Sequence, residues 1–408
     1  MSCRICSSSD VEIFLDLGDQ PHCNRLIPAS KLDEQEPKYP LRVGFCHDCT
    51  LVQIDYTIPK EDMFSDYPYV SGTTRTLVQH FKDSASRLVA TYGFGPDDLV
   101  VDIGSNDGTW LAAYQPFGVR VLGVEAARNV AKLANERGVL TLNRFFNEET
   151  AKLILEDKGP ARLITAAGVF FHLEELHSVV RGIARLLADD GVLVVQAIYL
   201  GEMVENLAFD QIYHEHLCYY TLRSLEFLVS MHGLSVFDVR MVPIHGGSIE
   251  VHFARSGSRD VEPSVAACRA EEDAKGYGKF ETYRRFADRV WSARDELLSL
   301  LSSFQREGKT VYAYGAPAKG ATLLNSFGIG TRLVSKAVEK NPMKVNFWIP
   351  GARIPIVAEG GERPDAYLVL AWNFLDEFLE KEAEYLRSGG AFIVPVPKVS
   401  TITAQDLL

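Results

Sequence analysis

Leu99-Val100-Val101-Asp102-Ile103-Gly104-Ser105-Asn106-Asp107-Gly108-Thr109-Trp110-Leu111 decides how the chain folds. Leu99 to Val101 form an apolar run that reads as a buried strand. Asp102 to Gly108 read as the turn after it, and Thr109-Trp110-Leu111 opens a helix. A strand with an acidic end, a Gly-rich turn and a helix is how doubly wound α/β domains hold a small ligand at the strand's carboxyl end. Gly104 and Gly108 let the backbone approach that ligand with no Cβ between.

The turn is not a dinucleotide fingerprint, because GxGxxG needs a third glycine. Its amide and carboxylate side chains, Asn106 and Asp107 among them, suit a cationic ligand bearing an amino acid better than a pyrophosphate. It resembles motif I of class I S-adenosylmethionine (SAM) methyltransferases. The strand VRVLGVEAA follows and closes on Glu125. An acid about 20 positions after the glycine turn is placed to take a ribose diol.

Downstream the rhythm continues. RNVAKLANERG, EETAKLILEDKG and LEELHSVVRGIARLLADDG read as helices. VLTLNRFFN, RLITAAGVF and VLVVQAIYL read as the strands between them. Such alternation predicts a parallel sheet covered on both faces. Asn147 falls where such folds place an adenine contact. Phe170-Phe171-His172 reads as the end of the fourth strand, which puts His172 at the ligand crevice. His177, further along the helix, is expected to be exposed.

Upstream, Cys3-x-x-Cys6 and Cys46-x-x-Cys49 are two knuckles with 39 residues between them. Four thiolates satisfy a tetrahedral zinc and leave no open position, which predicts a structural site. Disulfides or a redox pair are the other readings of the spacing. Cys23 and His47 lie close in sequence and are alternative ligands, with the four knuckle cysteines the preferred set; Cys218 and Cys268 read as plain small side chains. The stretch MFSDYPYVSGTT at 63–74 is either a linker or a cover over the site that offers Tyr67 and Ser71 to a substrate.

The densest chemistry is AFDQIYHEHLCYY at 208–220. As a strand it would pair Tyr213 with Glu215 and His214 with His216. As a helical turn it would put Tyr213 and His216 on one face. Either pattern yields an acid/base pair, and imidazole titrates nearest neutrality. His245-Gly246-Gly247-Ser248 reads as a hairpin connection or as part of a substrate cleft. Residues 262–305 are helical in period and read as a connection to a last α/β unit. In that unit, TVYAYGAPAKGATLLNSFG puts Gly315, Lys319 and Gly320 at a helix mouth, a plausible anion site. It is not Walker A, since Ala321 stands where the magnesium-binding hydroxyl would be.

The whole chain constrains the rest. At 408 residues, several domains are expected. A hydrophobic fraction of 47% with 24% charged residues is ordinary for a soluble protein. Net charge is −12, and no basic run suggests nucleic acid as a partner. No apolar run approaches the ~18 residues of a membrane span, and no signal-peptide core is seen. A cytoplasmic, reducing setting, a monomer and no membrane partner are expected.

Together the paired CxxC knuckles, DIGSNDG, YHEHLCYY, HGGS, YGAPAKGATLLN and EKNPMKVNFWIPGARIPI resemble the zinc-containing C-methyltransferases of nucleotide-linked deoxysugars. The type in view is the C-3 methyltransferase of tetronitrose biosynthesis. The resemblance covers nearly the whole chain in the same order. It implies an α/β architecture of three parts: a small zinc-binding domain over 1–72, a class I SAM-methyltransferase domain over 73–258 and, after linker helices over 259–305, a smaller Rossmann-like domain over 306–408. It implies SAM and structural zinc as cofactors and a nucleoside-diphosphate 4-keto-6-deoxysugar as partner. His216, Glu215, Tyr213 and His172 would be catalytic. Asp102, Gly104, Asn106, Asp107, Gly108 and Glu125 would bind SAM. Tyr67, Ser71, His245, Gly246, Ser248, Gly315, Lys319, Asn325 and Asn341 would bind substrate. Cys3, Cys6, Cys46 and Cys49 would hold zinc. Glu250 departs from the family pattern, which has a basic residue there, and bears on substrate identity. A non-sugar acceptor or a catalytically silent scaffold are the alternatives.

Overall fold

Strand Leu99–Ile103 is buried at every position and lies inside a seven-stranded sheet. The computed structural model describes the chain except Pro68, His245 and Leu408. Across the sheet the strands run 234–242, 248–255, 187–198, 161–167, 99–103, 120–125 and 141–143. The strands from 187–198 to 141–143 are mutually parallel, and the hairpin 234–242/248–255 adds antiparallel at one edge. Chain order reverses between 99–103 and 161–167. There the carboxyl ends of two neighbouring strands part and leave a crevice.

The fourth of these parallel strands is shorter than its apolar run suggests. It ends at Ala167, and Gly168 turns with φ +68°. Phe170–His172 then forms one turn of 3-10 helix. His172 therefore sits beyond the strand, on a turn that overhangs the crevice. The Gly246-Gly247 turn serves both expected roles. It connects the edge hairpin, and its neighbours Ile244 and Ser248 line the crevice.

The N-terminal lobe is a four-stranded sheet. Its first three strands are Val11–Pro21, Lys38–Cys46 and Val52–Ile54. The fourth, Cys218–Tyr219, comes from the segment just after His216 and pairs with Gln53 and Val52. The YHEH segment is thus stitched directly into this lobe. A two-stranded pairing of Ile27–Pro28 with Phe347–Trp348 ties the same lobe to the C-terminal unit.

The helical connection is two helices, Pro263–Lys275 and Phe280–Arg306, broken at Gly276 in the left-handed region. The second also packs Phe280 and Tyr283 on Phe45 of the N-terminal sheet. The C-terminal unit is a six-stranded sheet. Its strand order 356–358, 337–339, 311–314, 366–369, 391–394 is parallel, and 400–402 is added antiparallel. One continuous apolar core runs through all three parts. Among the described residues no helix is long and apolar enough to cross a membrane.

Candidate active site

A cleft of about 320 Å³ opens at the carboxyl ends of the central strands, within the size range of small-molecule sites. Gly104, Asn106 and Glu125 line one side of it. His172, Tyr213 and His216 line the other, with Tyr67, Ser71 and Ser248 at the margins.

On the first side, Gly104 sits at φ +68°, and a Cβ there would lie 2.3 Å from Val169 Cγ2. Only glycine fits that turn. Glu125 accepts from the backbone N–H of Asn106 and of Ala127, each at 2.8 Å. Burial raises its carboxyl above the ordinary value, against those two bonds. This carboxylate stands at the end of the second strand in the cleft lining.

The other expected cofactor residues build the turn rather than the wall. Asp102 accepts from Thr165 Oγ1 at 2.6 Å, which ties neighbouring strands, and burial pushes its carboxyl up to about 7. Asp107 is buried. It accepts from Gly72 N–H at 3.2 Å and Thr109 Oγ1 at 2.6 Å, and it pairs with Arg137. Gly108 packs on Val139, where a Cβ would meet side chain at 2.9 Å. Asn147, expected near the adenine, caps the next helix by accepting from Thr150 N–H at 2.9 Å. Arg144, Phe145 and Phe146 line the cleft just before it. An N-cap must turn its side chain back onto its own helix, so it is withdrawn from the ligand.

The YHEH segment adopts the turn geometry. His216 N–H donates to the Tyr213 carbonyl at 2.8 Å, and the Tyr213 and His216 rings lie 3.9 Å apart. His214 faces away, against the Pro40 carbonyl at 3.1 Å and the Tyr39 ring. His172 stands 5.1 Å from His216, ring to ring.

Both cleft imidazoles have their tautomers set by the backbone. His216 Nδ1 lies 2.7 Å from the Gln211 carbonyl, and His172 Nδ1 lies 2.5 Å from the Glu215 carbonyl. A carbonyl only accepts, so each Nδ1 carries a proton, and in the neutral ring Nε2 then carries the lone pair. Burial lowers His172 below its ordinary value, opposed by the charge of Glu215, so it is neutral near pH 7. Burial raises the Tyr213 phenol well above its ordinary value, so it remains a donor.

Glu215 itself lies behind the cleft wall, fully buried. Its carboxylate accepts from Asn24 Nδ2 at 2.6 Å and Tyr67 Oη at 2.9 Å, with His22 Nε2 at 3.1 Å. The imidazole its side chain contacts is that of His22; what it offers the cleft imidazoles is the backbone carbonyl that holds His172. Nothing in the local sequence pointed to His22 or Asn24, which are 191 to 193 positions away.

The described residues of 63–74 pack against Asn106 and Asn129 at the cleft. Ser71 N–H donates to Asn106 Oδ1 at 2.9 Å, and Asn106 Nδ2 donates to the Tyr69 carbonyl at 3.1 Å. Asn129 brackets Tyr67 with two further bonds. The segment is therefore a cover, and it carries Phe64, Tyr67 and Ser71 into the lining.

The substrate-side expectations divide. Ser248 lines the cleft with its hydroxyl on the Ile244 carbonyl at 3.0 Å. Gly246 lies on Trp372, where a Cβ would meet the ring at 3.0 Å. His245 lies outside the described residues. Lys319 is buried, its Nζ donating to Asn373 Oδ1 at 2.6 Å and lying 3.7 Å from the centre of the Trp372 ring. Burial brings its ammonium down to about 8, opposed by Asp210. Its charge is committed to these neighbours rather than displayed at an open helix mouth. Trp372 Nε1 donates in turn to Asp210 Oδ2 at 2.7 Å. Gly315, at φ +82°, ends the first strand of the C-terminal sheet. Asn325 donates to the Ala321 and Pro350 carbonyls, and Asn341 accepts from Met343 N–H. Both brace local backbone.

Glu250 is fully buried below the cleft. Arg87 Nη2 contacts both its oxygens at 2.6 and 2.9 Å, His252 Nε2 is 3.0 Å away, and Gln196, which lines the cleft, donates at 2.8 Å. Burial alone would raise this carboxyl; His252 and Arg87 prevail and hold it at about 2, below its ordinary 4.5. A depressed carboxyl stabilises the fold above its unfolded value and loses that contribution as pH falls through the folded one. Unfolding measured from pH 4.5 down to 2 should show a loss of roughly 3 kcal/mol from this group. Glu250→Gln should flatten that limb; an unchanged acid limb would remove the assignment.

The four knuckle sulfurs lie within 4.8 Å of one another, with Cys3–Cys49 at 3.4 Å and Cys6–Cys46 at 3.5 Å. A tetrahedral zinc with four thiolates spaces its sulfurs by about 3.8 Å, so the donor set fits that ion. Cys23 is elsewhere, 3.9 Å from Glu215, and His47 contacts Glu12. His177 is half-buried rather than exposed. It bonds the Ile5 carbonyl and His232, because its helix backs onto the first knuckle.

Three family models match in order: a zinc-binding domain over residues 3–64, a methyltransferase domain over 77–239 and a C-methyltransferase C-terminal domain over 243–397. The chain is 38% identical to C-methyltransferase NovU of Streptomyces niveus over 410 aligned residues, covering 100% of this chain and 98% of that protein. Among solved structures, the magnesium protoporphyrin IX methyltransferase of Synechocystis PCC 6803 with bound SAM matches at TM-score 0.34 and 17% identity. That alignment covers 44% of this chain and 79% of the other. A SAM-dependent methyltransferase from Archaeoglobus fulgidus matches at TM-score 0.34 and 16% identity, over 40% and 71% of the two chains.

Proposed function

The chain belongs to the SAM-dependent C-methyltransferases that carry a zinc-binding N-terminal lobe, and from that membership we propose that it methylates C-3 of a nucleoside-diphosphate 4-keto-6-deoxysugar. One observation carries the reading. Two imidazoles with carbonyl-fixed tautomers and a phenol line the same cleft as the cofactor turn.

Gly104, Asn106 and Glu125 would hold SAM, with Asp102, Asp107 and Gly108 shaping the turn. When bound, SAM supplies an electrophilic methyl on sulfonium sulfur. A hydrogen on carbon next to a ketone is far more acidic than other sugar hydrogens. His216 removes it at Nε2 as general base, a role worth about 10²–10⁴-fold. The electron pair moves onto the ketone oxygen. Tyr213 is the better donor to that oxygen, since its phenol stays protonated while the one proton of neutral His172 is held by Glu215. The Nε2 of His172 then accepts from a substrate hydroxyl. The carbanion would form its bond to the methyl as the methyl–sulfur bond breaks, with that electron pair left on sulfur as a neutral thioether, and the abstracted proton would stay on His216 until solvent takes it. The contact of Trp372 with Gly246 supports the C-terminal unit as the wall for the nucleotide portion, with Ser248 and Tyr67 toward the sugar.

The test is incubation with SAM and a panel of nucleotide-linked 4-keto-deoxysugars in heavy water. Methylated product is expected, with deuterium entering beside the ketone in the sugar that has not yet been methylated. Turnover of a non-sugar acceptor instead, or no methyl transfer and no exchange at all, would overturn the reading.

A further inference from the structure

We infer that His22 and Asn24, on the N-terminal lobe, are positioning residues for methyl transfer, acting through Glu215 on the Tyr67 and His172 side chains that line the cleft. The inference rests on the reading of the cleft as the methyl-transfer site.

The geometry runs in one chain of contacts. Asn24 Nδ2 donates to Glu215 Oε1 at 2.6 Å, and His22 Nε2 lies 3.1 Å from the same oxygen. The other oxygen accepts from Tyr67 Oη at 2.9 Å. The Glu215 carbonyl receives His172 Nδ1. Moving Glu215 therefore moves both a phenol and an imidazole of the cleft wall. A carboxylate buried this completely is tolerated only when its lone pairs are met. Burial would raise it, but the contacts with His22, His172 and Asn24 win and hold it below its ordinary value. The groups facing it are His22 and Cys23 from the N-terminal lobe, Tyr67 from the 63–74 segment, Tyr213 from its own turn and His172 from the 3-10 turn. Lys344 of the C-terminal unit stands behind Cys23.

His22 and Asn24 directly follow strand Val11–Pro21. Its partner strand runs from Lys38 to the zinc ligand Cys46. The lobe thus holds zinc at one end of a strand pair and the Glu215 cage at the other. His22, Asn24 and the Glu215 side chain do not line the cleft, so their effect is one of position.

The experiment compares zinc-loaded full-length chain with Asn24→Leu, His22→Leu and His22→Gln. Asn24→Leu should lower kcat by about 10- to 100-fold, the range for one lost charge-assisted hydrogen bond, and His22→Leu, which removes the imidazole 3.1 Å from the same oxygen, should lower it in the same direction. SAM affinity should stay within about twofold, since the cofactor wall is untouched. His22→Gln keeps an N–H and should recover most of the rate. With fewer donors the carboxylate takes its proton at higher pH, so the acid limb of kcat should move upward in the Leu variants. Wild-type kcat and an unmoved limb would overturn the inference. If a Leu variant does not fold, Asn24→Asp keeps the size and sets carboxylate against carboxylate. It should lose rate at neutral pH and regain it as pH falls, and a wild-type profile there would equally overturn the inference. Carbon-13 titration of the Glu215 carboxyl needs no substrate and separates the two proposals. If the wild type turns over no sugar, the functional reading fails, and the titration still decides this one. An upward shift in the Leu variants supports it, and an unmoved titration overturns it.

Discussion

His216→Asn should reduce methyl transfer by about 10²–10⁴-fold, the worth of a general base, while SAM still binds. Asparagine keeps an N–H that can reach the Gln211 carbonyl, which holds Nδ1 of the wild-type ring at 2.7 Å. It offers no basic nitrogen in place of Nε2. Deuterium exchange beside the ketone should stop along with turnover, because both need the same proton removal. Tyr213→Phe should behave differently. The base is intact, so exchange persists at a reduced rate, and the lost donor to the ketone oxygen appears in kcat. Calorimetric SAM titration, a deuterium assay and product analysis separate these outcomes. A His216→Asn enzyme that still exchanges deuterium at the wild-type rate would move the base elsewhere, with His172 the next imidazole in the cleft.

Zinc removal, or Cys46→Ser, should melt the N-terminal lobe. Structural zinc in small modules contributes about 10–16 kcal/mol of binding free energy that is also folding free energy. Cys46 is fully buried at the end of strand Lys38–Cys46, and its Sγ lies 3.5 Å from that of Cys6. Without the ion, thiolates at this spacing repel, and the strand pair loses its clamp. The consequence extends past the lobe, because Cys218–Tyr219 pairs with Val52–Gln53 and Glu215 depends on Asn24. Calorimetry should show a separate early transition in the metal-free chain. Methyl transfer should fall to background, while SAM affinity changes little. A metal-free chain that melts with the wild-type profile and retains activity would show that the four cysteines are not a structural zinc site.

The two kinds of prediction draw on different parts of the sequence. Four cysteines in two CxxC knuckles name their own chemistry, since spacing within a knuckle is local and the ion demands four sulfurs. LVVDIGSNDGTWL likewise carries its strand, turn and helix in consecutive residues, and Glu125 follows at the distance the next strand imposes. The YHEH segment shows the limit. Its four adjacent side chains were legible as chemistry but not as geometry, because strand and turn patterns pair them differently. The structure takes the turn, sets Tyr213 on His216 and sends His214 and Glu215 elsewhere. Lys319 was legible as a charge at a helix start, but Trp372 and Asn373 are what cover it. Asn147 read as a ligand contact, and a local N-cap bond claimed its side chain.

What the sequence determined by itself was the order of the three parts, the glycine turn after the first strand of the parallel sheet, the four-cysteine set and a cluster of titratable side chains in YHEH, all of which arise from contacts between near neighbours. What only the tertiary structure decided was which groups serve that cluster: two backbone carbonyls for the imidazoles, and His22, Asn24 and Tyr67 for Glu215. Those partners lie up to 193 positions away along the chain. A side chain's hydrogen-bond partner depends on where the backbone brings other chain segments, and no local propensity or spacing encodes that.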